Sequence, residues 1–279
     1  MRKIIVISMA FALTLGTVFA QNNEKSEKQD LFPQGKEFAF GLDMANFAKS
    51  LLNSITNPNS ANTVIAFQSD FFGKYFISEN SAIRLRLGIG INNSTKRKFI
   101  RDDYDYFNNP FSEKQVVDVW KQRRTDVILG IGFEYRKLAL WRVQGYVGGE
   151  VFGGVSNHLR DSYEYGNPIT EINQNPTKYT GVGWANAGAE AGSRILDSKT
   201  TGFTLGAAVF VGADLFIAKN ISLGVEFTLE GAYTQQGEKG GVTEVWQLDE
   251  VRTKDKPLEP VTSAFGLQPK GGLNLMIYF

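Results

Sequence analysis

One stretch constrains this chain more than any other: Ile83-Arg84-Leu85-Arg86-Leu87-Gly88-Ile89-Gly90-Ile91. Every odd position is large and apolar, and every even position is Arg or Gly. A period of two describes a β-strand with one oily face and one polar or small face. The pattern returns at Val127–Tyr135, Phe203–Ile217 and Ile221–Leu229, and closes the chain with Leu273, Leu275, Ile277 and Phe279. Weaker versions occupy Phe38–Phe47, Val64–Ile77 and Trp141–Phe152. That makes eight segments, each long enough for the roughly 9–11 tilted residues with which a strand crosses a bilayer.

The connections alternate in length. Short ones fall at Ser78–Ser81, Lys137–Ala139 and Ala218–Asn220; long ones fall at about 49–61, 93–124, 157–201 and 236–262. Strict alternation puts every short turn on one side of the membrane and every long loop on the other. The expectation is an all-β fold, a transmembrane antiparallel up-and-down β-barrel of eight strands spanning 37–279, with four long extracellular loops. A ninth and tenth strand around Gly181–Gly188 are the runner-up count.

The first residues read as an address. Arg2 and Lys3 precede an apolar run from Ile4 to Leu15, and small residues at Gly16 and Ala20 follow, with Val18 at the −3 position. This is the order of a secretory signal peptide, 1–20, cleaved after Ala20. Residues 21–36 mix three acids with three lysines and bury little, so a flexible periplasmic leader is expected. The chain contains no Cys and one His, which excludes disulfides, thiolate metal sites and His-rich metal centres. A net charge of +1 gives no basic surface for nucleic acid. No cofactor and no metal are expected.

A soluble lipocalin-like barrel or a sandwich would show the same alternation, turned inside out. The signal peptide, the loop asymmetry and the terminal Phe279 favour the membrane barrel. The polar face then lines the lumen with Arg84, Arg86, Asp126, Glu134, Arg136, Arg142, Glu150, Asp214, Glu226 and Glu230. Eight strands enclose a space that side chains just fill, so these charges should pair. Tyr75, Tyr135, Trp141, Tyr278 and Phe279 are expected at the periplasmic strand ends as an aromatic girdle. Trp120, Trp184 and Trp246 fall in the long loops.

Two hairpins resemble each other: Tyr75-Phe76-Ile77-Ser78-Glu79-Asn80-Ser81-Ala82-Ile83-Arg84-Leu85 and Leu215-Phe216-Ile217-Ala218-Lys219-Asn220-Ile221-Ser222-Leu223. With the terminus Gly271–Phe279, they resemble the small eight-stranded OmpA/OmpW-like outer-membrane barrels of the Bacteroidota type. The resemblance implies a place in the cell outer membrane. It also implies an assembly signal at Leu273, Leu275, Ile277 and Phe279, read by the barrel assembly machinery during insertion. It does not imply peptidoglycan anchoring, since no peptidoglycan-binding segment follows Phe279 in the sequence given.

The function expected is non-enzymatic: a structural or partner-binding component of the envelope, or an accessory subunit of a larger outer-membrane complex. One alternative is a narrow ion, water or small-solute channel gated by Arg84, Arg86, Glu134 and Glu226. Another is a lipid-modifying hydrolase built on Ser156 and His158, with Asp161 and Glu164 nearby; a relay needs hydroxyl, base and orienter within hydrogen-bond reach. The acidic run Asp102-Asp103-Tyr104-Asp105 lacks the Gly and distal Glu of a calcium loop. Gly88-Ile89-Gly90 and Gly130-Ile131-Gly132 lie within strands, not before a helix, so they are not dinucleotide fingerprints.

Overall fold

The computed structural model describes residues 32–56, 63–140, 142–181 and 192–279. The expected signal peptide and residues 21–31 of the expected leader lie outside the described residues, as do Trp141 and the Val182–Gly188 part of the runner-up strand segment. Among the described residues there are ten strands: β1 (Phe38–Asp43), β2 (Thr63–Ser78), β3 (Ser81–Arg101), β4 (Gln115–Leu140), β5 (Val143–Glu164), β6 (Ser193–Ala218), β7 (Ile221–Gln236), β8 (Lys239–Gln247), β9 (Glu250–Glu259) and β10 (Thr262–Tyr278). Two helices accompany them, α1 (Met44–Thr56) and α2 (Asp103–Asn108).

Eight strands form the ring, in the order β5-β4-β3-β2-β1-β10-β7-β6, closed by pairing between β5 and β6. Every pairing is antiparallel. β8 and β9 add no wall. β8 continues β7 upward along β6, where Lys199 faces Gly240, and β9 returns along β8 to lead into β10. The expected fourth loop is therefore one long hairpin. Its tip, Leu248-Asp249, has φ of 54° and 61° at the two residues, the backbone of a tight two-residue turn.

The expected loops at 93–124 and 157–201 are shorter than the sequence suggests. β3 runs on to Arg101, β4 begins at Gln115, β5 reaches Glu164 and β6 begins at Ser193. Past their alternating stretches the strands stay paired but carry polar residues on the outside as well, so the oily alternation disappears. The turn expected at Lys137–Ala139 falls later too, because β4 runs on to Leu140.

Alternation sorts the side chains as a membrane barrel requires. On β7, Leu223, Val225, Phe227, Leu229 and Tyr233 point outward and are exposed, while Glu226 and Glu230 between them are buried inside. That outward run spans about 34 Å of strand, or about 25 Å of height at the tilt of a barrel strand. Leu85, Leu129, Val151, Val209 and Phe265 continue the belt around the ring. Inward glycines make room for large neighbours: a Cβ on Gly148 would fall 2.4 Å from Phe210 Cζ, and one on Gly212 would fall 2.4 Å from Tyr146 Cζ.

The wall is interrupted at β1. β1 is six residues long and pairs with β2 only as far as Leu42 and with β10 only as far as Asp43. Asp43 ends the strand and caps α1, its Oδ1 accepting from the amides of Ala45 at 2.9 Å and Asn46 at 3.3 Å. α1 packs against both β2 and β10, in place of an upper β1. Its Asn46 lines the lumen beside Asp43. Its Phe47 meets the ring of Phe67 at 6.4 Å. An amphipathic helix thus continues the two-sidedness of the wall. No described helix is long and apolar enough to cross a membrane.

Candidate functional site: a plugged barrel interior beneath a strand platform

At the end of the barrel that carries the short turns, Ala39, Phe72, Phe76, Ala82, Phe216, Met276 and Tyr278 form a buried apolar cluster. Phe32 closes it from below, its ring meeting Phe216 edge-on at 5.3 Å. The end of the leader is thus packed: Pro33 is buried and the Lys36 amide donates to the Phe76 carbonyl at 2.7 Å. The expected girdle is only partly present. Tyr75 and Tyr135 face out, and Phe279 meets Phe40 at 6.4 Å. Tyr278, however, faces inward, where its hydroxyl lies 3.0 Å from Ser222 Oγ.

The next layer is ionic. Arg136 is fully buried and spends its whole fork: Nε on Glu134, Nη1 on Gln144 Oε1 at 2.9 Å, and Nη2 on Asp214 Oδ2 at 2.6 Å. Lys74 Nζ reaches Glu134 Oε2 at 2.8 Å. Above it, Arg84 grips Glu226, while Arg86 Nη2 reaches Glu150 at 2.8 Å and its Nη1 reaches Glu230 at 2.8 Å. Arg84 is sandwiched between Phe72 and Phe210, whose centroids are 4.3 and 4.4 Å from Cζ. Desolvated charges that pair across the interior make a rigid floor.

Eight of the ten expected lumen charges belong to these two layers. Asp126 sits higher, accepting from the Asn157 amide at 2.6 Å and from Arg124 Nε at 3.1 Å. Arg142 is a correction: it lies just before β5, and its Nη1 donates to the Ile217 carbonyl at 2.9 Å. It has the inward phase but sits in the short turn between β4 and β5. Lys74, Asp70 and Lys270 complete the set; sequence reading missed them although all three have the inward phase of their strands. Above the floor is a cavity of about 560 Å³, into which Asp70, Arg86, Glu150, Glu230 and Lys270 face.

A bulge turns the platform inward. Val127 pairs with Val155 but Thr125 pairs with His158, so Ser156 and Asn157 together oppose Asp126. Asn157 has φ of 50°, a left-handed backbone that Asn tolerates well. The extra residue reverses the phase of β5. Below it even positions such as Tyr146 and Glu150 face in; above it Asp161 and Tyr163 do. Asp161 accepts from Trp120 Nε1 and Gln122 Nε2, each at 3.0 Å, and Trp120 stacks on Tyr163 at 5.9 Å. Ile195 completes this buried cluster.

The same bulge separates the two residues of the hydrolase alternative. Ser156 Oγ lies 2.6 Å from Thr204 Oγ1 on the inner face, and His158 Nδ1 lies 2.8 Å from Thr201 Oγ1 on the outer face. No relay is assembled from them.

The acidic run has a structural role. Asp102 caps α2, accepting from the Asp105 amide. Asp103 is buried and ties the loop between β3 and β4 to the loop between β5 and β6, accepting from the Thr177 amide at 2.6 Å and Asn173 Nδ2 at 2.9 Å. Burial opposes its ionisation, but the hydrogen bonds from Thr177, Asn173 and Arg101 outweigh that and hold its carboxyl below the usual carboxylate range. Asp118 accepts from the amides of Gly166 and Tyr179, each at 2.9 Å. Among the described residues no group of His, Asp and Glu is arranged to hold a metal ion.

No family model matches this chain, and no curated protein matches it. Among solved structures it is similar to the outer membrane protein OprG from Pseudomonas aeruginosa, at 9% identity over 89% of this chain and 98% of that one, with a TM-score of 0.31.

Proposed function

We propose that this protein is an integral barrel of the outer membrane of a Gram-negative bacterium, closed to through-flow, whose working surface is its extracellular platform. The carrying observation is the pair of opposed faces. An outward belt of Leu, Val, Ile and Phe surrounds an inner floor of interlocked Arg, Lys, Glu and Asp. In a soluble barrel that belt would be an exposed apolar surface far larger than monomers carry. A floor of paired charges beneath a plug of Phe76, Phe216 and Tyr278 supports a structural or partner-binding role over transport.

The test has two parts. Urea-unfolded chain should insert into phosphatidylcholine vesicles and become heat-modifiable in electrophoresis; failure to insert would sink the membrane reading. The inserted protein should then give no conductance above bare bilayer. A steady conductance would favour the narrow channel instead. Gentle detergent extraction of the native protein, followed by native mass analysis, separates a lone barrel from a subunit of a larger complex.

A further inference from the structure

Three cations stand in one row on the outer wall, across three strands. Arg123 on β4 is directly opposite Arg160 on β5, and Arg160 is directly opposite Lys199 on β6. All three are exposed on the lipid-facing side, since their sequence neighbours Gln122, Asp161 and Ser198 meet one another inside. Like charges in direct cross-strand register repel, so such a row calls for something that neutralises it. Arg160 has Asp197, at 3.0 Å. Among the described residues Arg123 and Lys199 have no ionic partner. Glu238 and Asp255 stand on the hairpin side of an adjoining groove of about 690 Å³, away from Arg123.

The height of the row says what covers it. Four residues below Arg123 on β4 is Val127, paired with Val155, which is paired with Phe203: the top of the apolar belt on these strands. Between them lies one polar row, Thr125 opposite His158, with Thr201 bonded to His158. The cations therefore stand about 10 Å above the hydrocarbon edge, at the depth of lipid headgroups. Guanidinium groups bind phosphate oxygens through paired N–H donors, and an ammonium adds a point charge.

We propose that Arg123, Arg160 and Lys199 form a binding site for the phosphate of an anionic glycolipid in the outer leaflet, so that the protein holds a bound lipid against the outer face of β4–β6. The site rests on the membrane reading above. Its ligand is the lipid, because the row faces the bilayer and sits over acyl-contacting side chains.

The full mature chain, folded in dodecylmaltoside, is examined by native mass spectrometry with three probes: diphosphoryl lipid A, phosphatidylcholine and inorganic phosphate. The wild type should retain lipid A at least tenfold more strongly than phosphatidylcholine, and millimolar inorganic phosphate should not displace it. The variant R123Q/R160Q/K199Q should lose that preference about tenfold while still inserting into phosphatidylcholine vesicles. R123Q/K199Q, which leaves the Arg160–Asp197 pair intact, should lose part of it. Equal retention of the two lipids by the wild type, or unchanged retention by both variants, would overturn the site. Displacement by inorganic phosphate would make it a free-anion site and overturn the lipid. A wild type that does not insert fails the membrane reading itself, which the lipid titration does not measure.

Discussion

Arg84 reaches from β3 to Glu226 on β7 and binds it with both terminal nitrogens, at 2.5 and 2.9 Å. The residues are 142 positions apart in sequence and face each other across the barrel interior. The pair crosses the lumen, ties opposite walls together and blocks the axis. Removing one partner strands the other in a buried site, so Arg84→Met should destabilise the barrel by about 3–5 kcal/mol. Arg84→Met with Glu226→Met should restore most of that loss. Urea unfolding in detergent measures both, and a double variant no better than the single would refute the pairing.

Closure should behave as two barriers in series. Phe76→Ala with Phe216→Ala removes the apolar plug and leaves the Arg136 layer; Arg136→Ala does the reverse. Each change alone should leave conductance at the bare-bilayer level, and the combined variant should conduct. A plug variant that conducts by itself would show the ionic floor to be permeable.

The bulge at Asn157 should tolerate only residues that accept a left-handed backbone. Asn157→Gly should hold stability within about 0.5 kcal/mol, while Asn157→Val should cost about 1–2 kcal/mol. Deleting Asn157 restores the lower phase along β5 and turns Asp161 and Tyr163 outward, so it should abolish the fold of the platform. Thermal unfolding with near-ultraviolet dichroism of the aromatic cluster reads all three.

The Asp103 clamp has a pH signature. A carboxyl held below its ordinary range in the folded protein contributes stability that is fully present above the unfolded value of about 3.9. That contribution is lost as pH falls through the lower folded value. Hydrogen exchange of residues 166–181 should therefore stay slow from neutral pH into the ordinary carboxylate range, and accelerate only below it. Asp103→Asn should be fast at every pH. If wild type and variant exchange alike at pH 7, the clamp does not order the loop.

The cation row should weaken the protein where no anionic lipid is present. Relieving cross-strand repulsion by Arg123→Gln should raise the Tm in zwitterionic detergent by about 1–2 °C. Added diphosphoryl lipid A should raise the wild-type Tm more than the variant's. A variant with lower Tm in both conditions would point to a packing role for Arg123.

Much of the barrel was legible because its signal is local. Ile83–Ile91 or Ile221–Leu229 announces a strand within nine residues, and parity along each strand assigns Arg84, Arg86, Glu134, Glu150, Glu226 and Glu230 to the interior. Parity failed where a strand ends or slips. Arg142 has the right phase but lies before β5. Tyr278 is the opposite case: parity holds, continuing the inward phase of Asn274 and Met276, and the girdle expectation runs against it. Asp161 is inward only because a bulge intervenes. The upper strands carry polar outer residues, which leave no period of two in the sequence.

The sequence by itself therefore determined a barrel, its eight-strand ring, and which face of most strands is oily, since each follows from a period of two within a short window. Only the tertiary structure decided which inward charges meet, that α1 takes the place of an upper β1, and that Arg123, Arg160 and Lys199 share one row. Those depend on register between distant strands. Register is set by bulges, turn lengths and closure acting together, and no single strand carries it.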